Sequence, residues 1–121
     1  MSNAKQDHDL RERTKAFALR IVRMYVSLSK SPEAQVLGKQ ALKSGTSPGA
    51  HYCEACRSRS PAEFISKMAG GLQELEETRY WLELLVDAAI VPAKRMADLL
   101  KETDELTAIF AASIITAKKN Q

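Results

Sequence analysis

The sequence predicts an all-α domain, an antiparallel up-down four-helix bundle. Three observations carry that expectation. Apolar residues recur at alternating steps of four and three over most of the chain, which places them on one face of a helix. Only five glycines and four prolines interrupt 121 residues, and aromatics reach 6%, too few turns and aromatic side chains for a sandwich or barrel. The helical stretches are separated by short breaks, so consecutive helices are expected to run antiparallel. At 13.4 kDa the chain has room for one modest core.

The first helix is expected at about residues 9–29, capped by Asp7 or Asp9, with Leu10, Thr14, Phe17, Ile21, Met24 and Leu28 forming its buried stripe. Ser31-Pro32-Glu33 ends it and starts a second, since proline suits the first helical turn. The centre of that second helix reads Lys43-Ser44-Gly45-Thr46-Ser47-Pro48-Gly49-Ala50, a loop by propensity. The pattern is helical on both sides, so one helix is expected over about 32–58, bent near Gly45–Pro48 because Pro48 cannot donate to the Ser44 carbonyl. Its small residues would let a neighbour come close. Ser60-Pro61-Ala62-Glu63 opens the third helix as cap, first-turn proline and capping-box glutamate. Phe64, Met68, Gly71, Leu75, Thr78, Leu82, Leu85 and Ala89 carry its stripe to about residue 89. Ile90-Val91-Pro92 makes the turn, and the fourth helix follows at about 92–118 on Met96, Leu99, Thr103, Leu106, Phe110, Ser113 and Ala117.

Composition narrows the class. Hydrophobic residues at 45% and charged residues at 27% describe a globular chain. No apolar run approaches a membrane span and no signal peptide opens the sequence, so a cytoplasmic protein is expected. Residues 1–6 read as a tag remnant and disordered N-terminus, and residues 7–119 as the bundle domain. More apolar residues are present than one bundle seam needs. Leu19, Val22 and Val26 fall roughly opposite the first helix's stripe, and Tyr80 and Leu84 do the same on the third, with Trp81 at the flank. The run Ala108–Ile115 is apolar nearly all round and is expected to be buried on every side. Leu19, Val22, Val26, Tyr80, Leu84, Ile109 and Ile115 are therefore read as a subunit interface, and a closed cyclic homo-oligomer is the expected outcome.

Chemistry-bearing constellations are few. His51-Tyr52-Cys53-Glu54-Ala55-Cys56 holds metal-ligand residue types, but His51 lies about 200° round the helix from Cys53, and no second pair completes a tetrahedral site. Gly45–Gly49 lacks the spacing of a phosphate loop and follows no strand. No Glu-x-x-His pair, nucleophile elbow or Ser/His/Asp set can be assembled. The expectation is no enzyme, no metal and no cofactor. The third helix's carboxylates, Glu74, Glu76, Glu77, Glu83 and Asp87, read as a solvated face, one or two of them pairing with arginines of the first two helices.

The basic residues say more. The net charge is +3, but residues 1–67 carry +6 and residues 68–121 carry −3. The two halves could meet within the molecule or leave a basic face for a polyanion. Arg13, Arg20, Arg23 and Lys30 share a sector of the first helix, Lys39 and Lys43 are i,i+4 neighbours, and Arg57 and Arg59 end the second helix, with Lys67 following in the third. Arginine offers paired donors to phosphate oxygens. Stacking aromatics are scarce, so base-specific readout is expected to be weak. RNA or ribonucleoprotein binding through Arg11, Arg13, Arg20, Arg23, Lys39, Lys43, Arg57 and Arg59 is the leading expectation, and a protein-interaction scaffold the alternative.

Several strings read together carry a family likeness. They are Asp9-Leu10-Arg11-Glu12-Arg13-Thr14-Lys15-Ala16-Phe17-Ala18, Lys43-Ser44-Gly45-Thr46-Ser47, Gly49-Ala50, Ser60-Pro61-Ala62-Glu63-Phe64-Ile65-Ser66-Lys67 and Glu76-Glu77-Thr78 before Tyr80-Trp81-Leu82. With them the chain resembles the four-helix-bundle proteins encoded in intervening sequences of bacterial 23S ribosomal RNA genes. Their fold group includes the accessory variability proteins of diversity-generating retroelements. The resemblance implies a helical second segment, a homopentameric barrel, no established catalysis and an association with RNA. The retroelement relatives use a basic barrel surface to engage nucleic acid and a reverse transcriptase, which implies a polymerase-like partner for the scaffold alternative. The chain departs from the pattern at Pro48, where a β-branched aliphatic is usual, and at His51, where asparagine is usual.

Overall fold

The computed structural model describes residues 4–121, with side chains from Asp9 onward. All described secondary structure is helical: α1 (Ala4–Ser27), α2 (Pro32–Gly45), α3 (Ser47–Cys56), α4 (Pro61–Asp87) and α5 (Ala93–Lys119). The first three residues of the expected tag remnant lie outside the described residues. α1 already runs from Ala4, so Asp7 and Asp9 sit inside it rather than at its cap, and it ends at Ser27, two residues early.

Helices α2 and α3 are the expected second helix, broken only at Thr46, which keeps a right-handed φ of −95°. Pro48 leaves the Ser44 carbonyl without its helical donor, as the sequence requires. The loop-like composition then helps the helix. The Thr46 hydroxyl donates to the Leu42 carbonyl at 2.8 Å and the Ser47 hydroxyl to the Lys43 carbonyl at 2.8 Å, so side chains satisfy groups that a broken helix exposes. These bonds tie down the carbonyls just before Ser44, whose own helical donor the proline removes.

Small residues set how closely the helices meet. A Cβ on Gly45 would stand 2.7 Å from Ile21 Cγ1, one on Gly49 3.1 Å from the Thr14 hydroxyl, and one on Gly71 2.6 Å from Phe110 Cε2. Gly38 is likewise pressed against Leu28 and Tyr25. α4 packs on α5, α3 and α2, whereas α1 packs on α2 and α3, touches α5 lightly and does not pack on α4. Phe17, Ile21, Tyr52, Met68, Leu75, Leu82, Leu85, Met96, Leu106 and Phe110 fill the space between them.

The polar members of the stripes are buried and bonded. Thr78 donates its hydroxyl proton towards Ser44 Oγ and the Glu74 carbonyl, each at 2.8 Å, while Thr14 and Thr103 donate to the Leu10 and Leu99 carbonyls at 2.7 Å. Met24 and Phe64 are half-buried against the core, and the expected stripes are otherwise those observed, with two corrections on α5. Ile114 takes the core place expected of Ser113, which is half-buried like Ala117. Ala108, Ala112 and Ile115 are exposed in the chain, so the Ala108–Ile115 run is not covered on every side by its own bundle.

Ala89, expected at the end of the third helix's stripe, instead lies past the end of α4, exposed and with φ 60°. The Ile90 amide donates to the Leu85 carbonyl at 3.0 Å and the Ala89 amide to Val86 at 2.9 Å, the bond pair of a Schellman ending with alanine where glycine fits best. The left-handed conformation costs an L-residue about 1–2 kcal/mol. Ala89→Gly is expected to raise stability by up to about 1 kcal/mol in chemical denaturation, after the greater freedom of unfolded glycine is subtracted. Gly71→Ala should do the reverse. The gain in helix propensity, about 1 kcal/mol, is outweighed by forcing a Cβ onto the buried Phe110 ring, with a net loss of about 1 kcal/mol or more. Gln73→Ala, exposed on the same helix, should be near neutral.

Candidate nucleic-acid interface

The eight candidate cations do not form one surface. Arg13 is committed within the fold: its Nε donates to Glu102 Oε2 at 2.9 Å, and Nη2 donates to Glu102 Oε1 and Glu105 Oε1 at 2.7 Å each. These bonds hold its pKa above the ordinary arginine value, chiefly through Glu102. The side chain clasps α1 to α5 along the seam where the two helices pack least. The basic and acidic halves do meet inside the molecule here, but through α5, not through the carboxylates of α4. Arg79 of α4 is likewise held, by both Asp104 oxygens at 3.0 Å and by Glu83 at 3.5 Å.

Arg11, Arg23, Lys39, Lys43, Arg57 and Arg59 are exposed, and Arg20 is half-buried. By the helical period Arg20 lies on the α5 side of α1 with Arg13, while Arg11 lies about 160° away from Arg13, on the α3 side. Lys30 falls in the turn after α1, outside its helical sector. Lys43 stands close enough to Glu77 to favour that residue's ionised form. The sequence reading passed over Lys94 and Arg95, both exposed at the start of α5, although two adjacent cations just after Pro92 were visible. It also passed over Val36, 62% exposed on α2 and opposite the Ala34–Ala41 stripe by the same periodicity.

At the α3–α4 corner two candidate cations converge on a concave surface. Arg57 and Arg59 line an open groove of about 500 Å3 with Glu54, Glu63 and Lys67. Both acids there are occupied. Lys67 Nζ lies 3.3 Å from Glu54 Oε1, and Glu63 Oε2 accepts the Arg59 amide proton at 3.3 Å while the Glu63 amide donates to Ser60 Oγ at 3.1 Å. Neither guanidinium has a carboxylate within ion-pair distance among the described residues. The N-terminus of the 27-residue α4 adds its partial positive charge. Paired guanidinium donors are of the kind that suits phosphate oxygens.

The remaining chemistry-bearing residues do not assemble. Cys53 and Cys56 are half-buried and not joined in a disulfide. His51 packs against Gly70 and Gly71 with Nδ1 buried and without a hydrogen-bond partner. No group of three His, Cys, Asp or Glu side chains is placed to hold a metal ion among the described residues. No described helix is long and apolar enough to cross a membrane.

A helical bundle with a basic corner defines the class; the comparisons give the family. The family model for the 23S rRNA-intervening sequence protein matches residues 6–112. The chain is also similar, at 34% identity and a TM-score of 0.83, to a crystal structure of a protein of unknown function from the S23 ribosomal protein family of Bacteroides thetaiotaomicron, covering 89% of this chain and 96% of that one. Comparison with curated proteins finds no match. This chain belongs to the 23S rRNA-intervening sequence protein family.

On the outer side of α4, Glu77 shares a hydrogen bond with Glu74, and this, with desolvation and the Glu74 charge, raises its pKa above the usual carboxylate value against the opposing pull of Lys43. The fold therefore favours the protonated acid, so this contribution is present at low pH and is lost as pH rises through the folded-state value. Glu77→Gln should stabilise the chain at pH 7 by a few tenths of a kcal/mol, the scale of like-charge helix pairs. The gain should shrink in melts below pH 5 and in high salt.

Proposed function

We propose that this protein is a non-enzymatic, cytoplasmic RNA-binding protein that holds the RNA backbone at the Arg57–Arg59 corner, as an oligomer of antiparallel up-down bundles. The observation that carries the reading is the pair of unpaired guanidiniums in an open groove, in a chain whose family is named for ribosomal RNA intervening sequences. The antiparallel arrangement is supported by contacts that advance on one helix as they retreat on the next: Gly38 with Leu28, Gly45 with Ile21 and Gly49 with Thr14. The pairs Ser44–Thr78 and Glu54–Lys67 run the same way between α2–α3 and α4, as do Gly71–Phe110 and Arg79–Asp104 between α4 and α5.

The homopentamer that the resemblance implies would pool a formal charge of about +15 from five copies at +3. Exposed Arg23, Lys39 and Lys43 and half-buried Arg20 then add diffuse attraction, whereas Arg13 stays with its carboxylates. The second reading, a scaffold for a polymerase-like or other protein partner, draws on the exposed Tyr80 beside Trp81 and requires that edge to stay open after assembly.

In filter-binding or anisotropy titrations with single-stranded RNA, affinity should fall steeply with salt. Arg57→Ala with Arg59→Ala should lower the magnitude of the log–log slope by roughly 1.4, two phosphate contacts' worth. Arg13→Ala should leave the slope unchanged while lowering thermal stability. An unchanged slope in the corner double variant, or no binding at low salt, overturns the proposal.

A further inference from the structure

Cys53 and Cys56, the two cysteines of the chain, gather no metal but stand one turn apart on α3. In a helix, residues three apart have Cα atoms about 5 Å apart and lie about 60° apart round the axis. That Cα separation falls inside the range a disulfide spans, whereas the Cβ atoms, about 5–6 Å apart, must close to roughly 4 Å. The bond therefore needs the turn to tighten. α3 tightens already at this end. The Arg57 amide donates to the Glu54 carbonyl and the Ser58 amide to the Ala55 carbonyl, each at 3.1 Å, three residues back instead of four. Cys56 is the last residue of the helix, so no further helical turn resists the change. Upstream, His51 is wedged against Gly70 and Gly71 of α4, which holds the rest of α3 in place. Both thiols are half-buried, open to a small reagent and not sealed in the core.

We propose that Cys53 and Cys56 form a reversible redox site, a dithiol that low-molecular-weight disulfides convert to an intrahelical disulfide whose closure weakens the Arg57–Arg59 corner. Cys56 packs against the core cluster, so Cys53, further round the helix, reacts first. The Cys53 thiolate attacks one sulfur of the reagent, forms a mixed disulfide and expels the other half as a thiolate. The Cys56 thiolate then attacks Cys53 Sγ, closes the ring and expels the second half. The two protons given up by the cysteines pass to the two leaving thiolates, so one external disulfide is reduced to two thiols for each bond formed. A disulfide that must tighten its own turn is strained, and strained disulfides are the readily reduced ones. The site thus rests as a dithiol and closes only when its surroundings turn oxidising. Closure acts on the corner through two neighbours. Arg57 follows Cys56 directly, and Glu54, between the cysteines, is the carboxylate that Lys67 holds at 3.3 Å. Drawing Cys53 onto Cys56 turns both and moves Arg57 out of register with Arg59. The effect on RNA rests on the functional reading above; the chemistry of the two thiols does not.

The test incubates the full-length chain in glutathione buffers from fully reduced to fully oxidised, followed by alkylation and tryptic mass spectrometry. The peptide 44–57, which carries both cysteines, should become lighter by two hydrogens, reversibly, with no cross-linked chains on a non-reducing gel. Amide exchange at Arg57 and Ser58 should quicken in the oxidised chain. Oxidation should weaken binding of single-stranded RNA roughly tenfold, the scale of one lost hydrogen bond to a charged group, and reduction should restore it. Cys53→Ser, which cannot close the ring, should show none of these responses. A lasting glutathione adduct, or bonds only between chains, overturns the redox site. A closed disulfide that leaves the exchange or the RNA affinity unchanged overturns its coupling to the corner. A reduced chain that binds no RNA overturns the corner instead, and the mass and exchange measurements still judge the dithiol.

Discussion

Close contact between helices at positions that lack a side chain is the constraint on which this molecule depends. Gly45 and Gly49 bring the α2–α3 rod against Ile21 and Thr14, and Gly71 admits the Phe110 ring between α4 and α5. At those separations the buried hydroxyls are near enough to bond: Thr78 reaches Ser44 across the α2–α4 contact at 2.8 Å. A core of leucines alone would tolerate helices that slide or rotate, whereas a hydroxyl pair and matched notches hold one register. The Ser-Gly-Thr-Ser-Pro-Gly string looks like a loop on a propensity scale. It is the part of the chain that fixes how the rods meet.

Electrostatics divides along the same architecture. Where α1 and α5 pack least, Arg13 spans the seam to two glutamates, and where α4 meets α5 Arg79 does so to Asp104. Cations spent in this way hold helices together and have little left for a ligand. The α3–α4 corner differs because its acids are taken by Lys67 and by a backbone amide, so the two arginines keep their donors. Partner residues, more than the number of positive charges, decide which part of a mildly basic surface can receive a phosphate.

The apolar side chains left outside the core lie chiefly on α1 and α4, which do not pack on one another. A four-helix arrangement covers one stripe on each helix, and α1 and α4 each carry a second stripe on the far side. Residues such as Val26 and Tyr80 gain nothing from their own bundle, and their charged borders differ in sign. Surface of this kind is costly to expose in water and gains when covered by a complementary face.

The sequence by itself determined the helices, their stripes and the buried threonines, because a 3.6-residue period and the proline and serine caps are local properties. It also placed a bend near Gly45–Pro48, since the missing amide of Pro48 is written into the chain, although there the helix is interrupted at Thr46 and not merely bent. Its likeness to the intervening-sequence family agreed with the family match. Tertiary structure alone decided the partners. Arg13 and Arg57 are the same residue type on helix surfaces, and only the arrival of Glu102 and Glu105 from the other end of the chain, against Lys67 claiming Glu54, separates a structural arginine from an open one. Ala89 makes the same point: its helix stripe extends through it on paper, but α4 must stop and turn for α5 to pack back, and the backbone goes left-handed there. Periodicity reads one helix at a time, whereas charge pairing and helix endings depend on what the rest of the chain brings beside them.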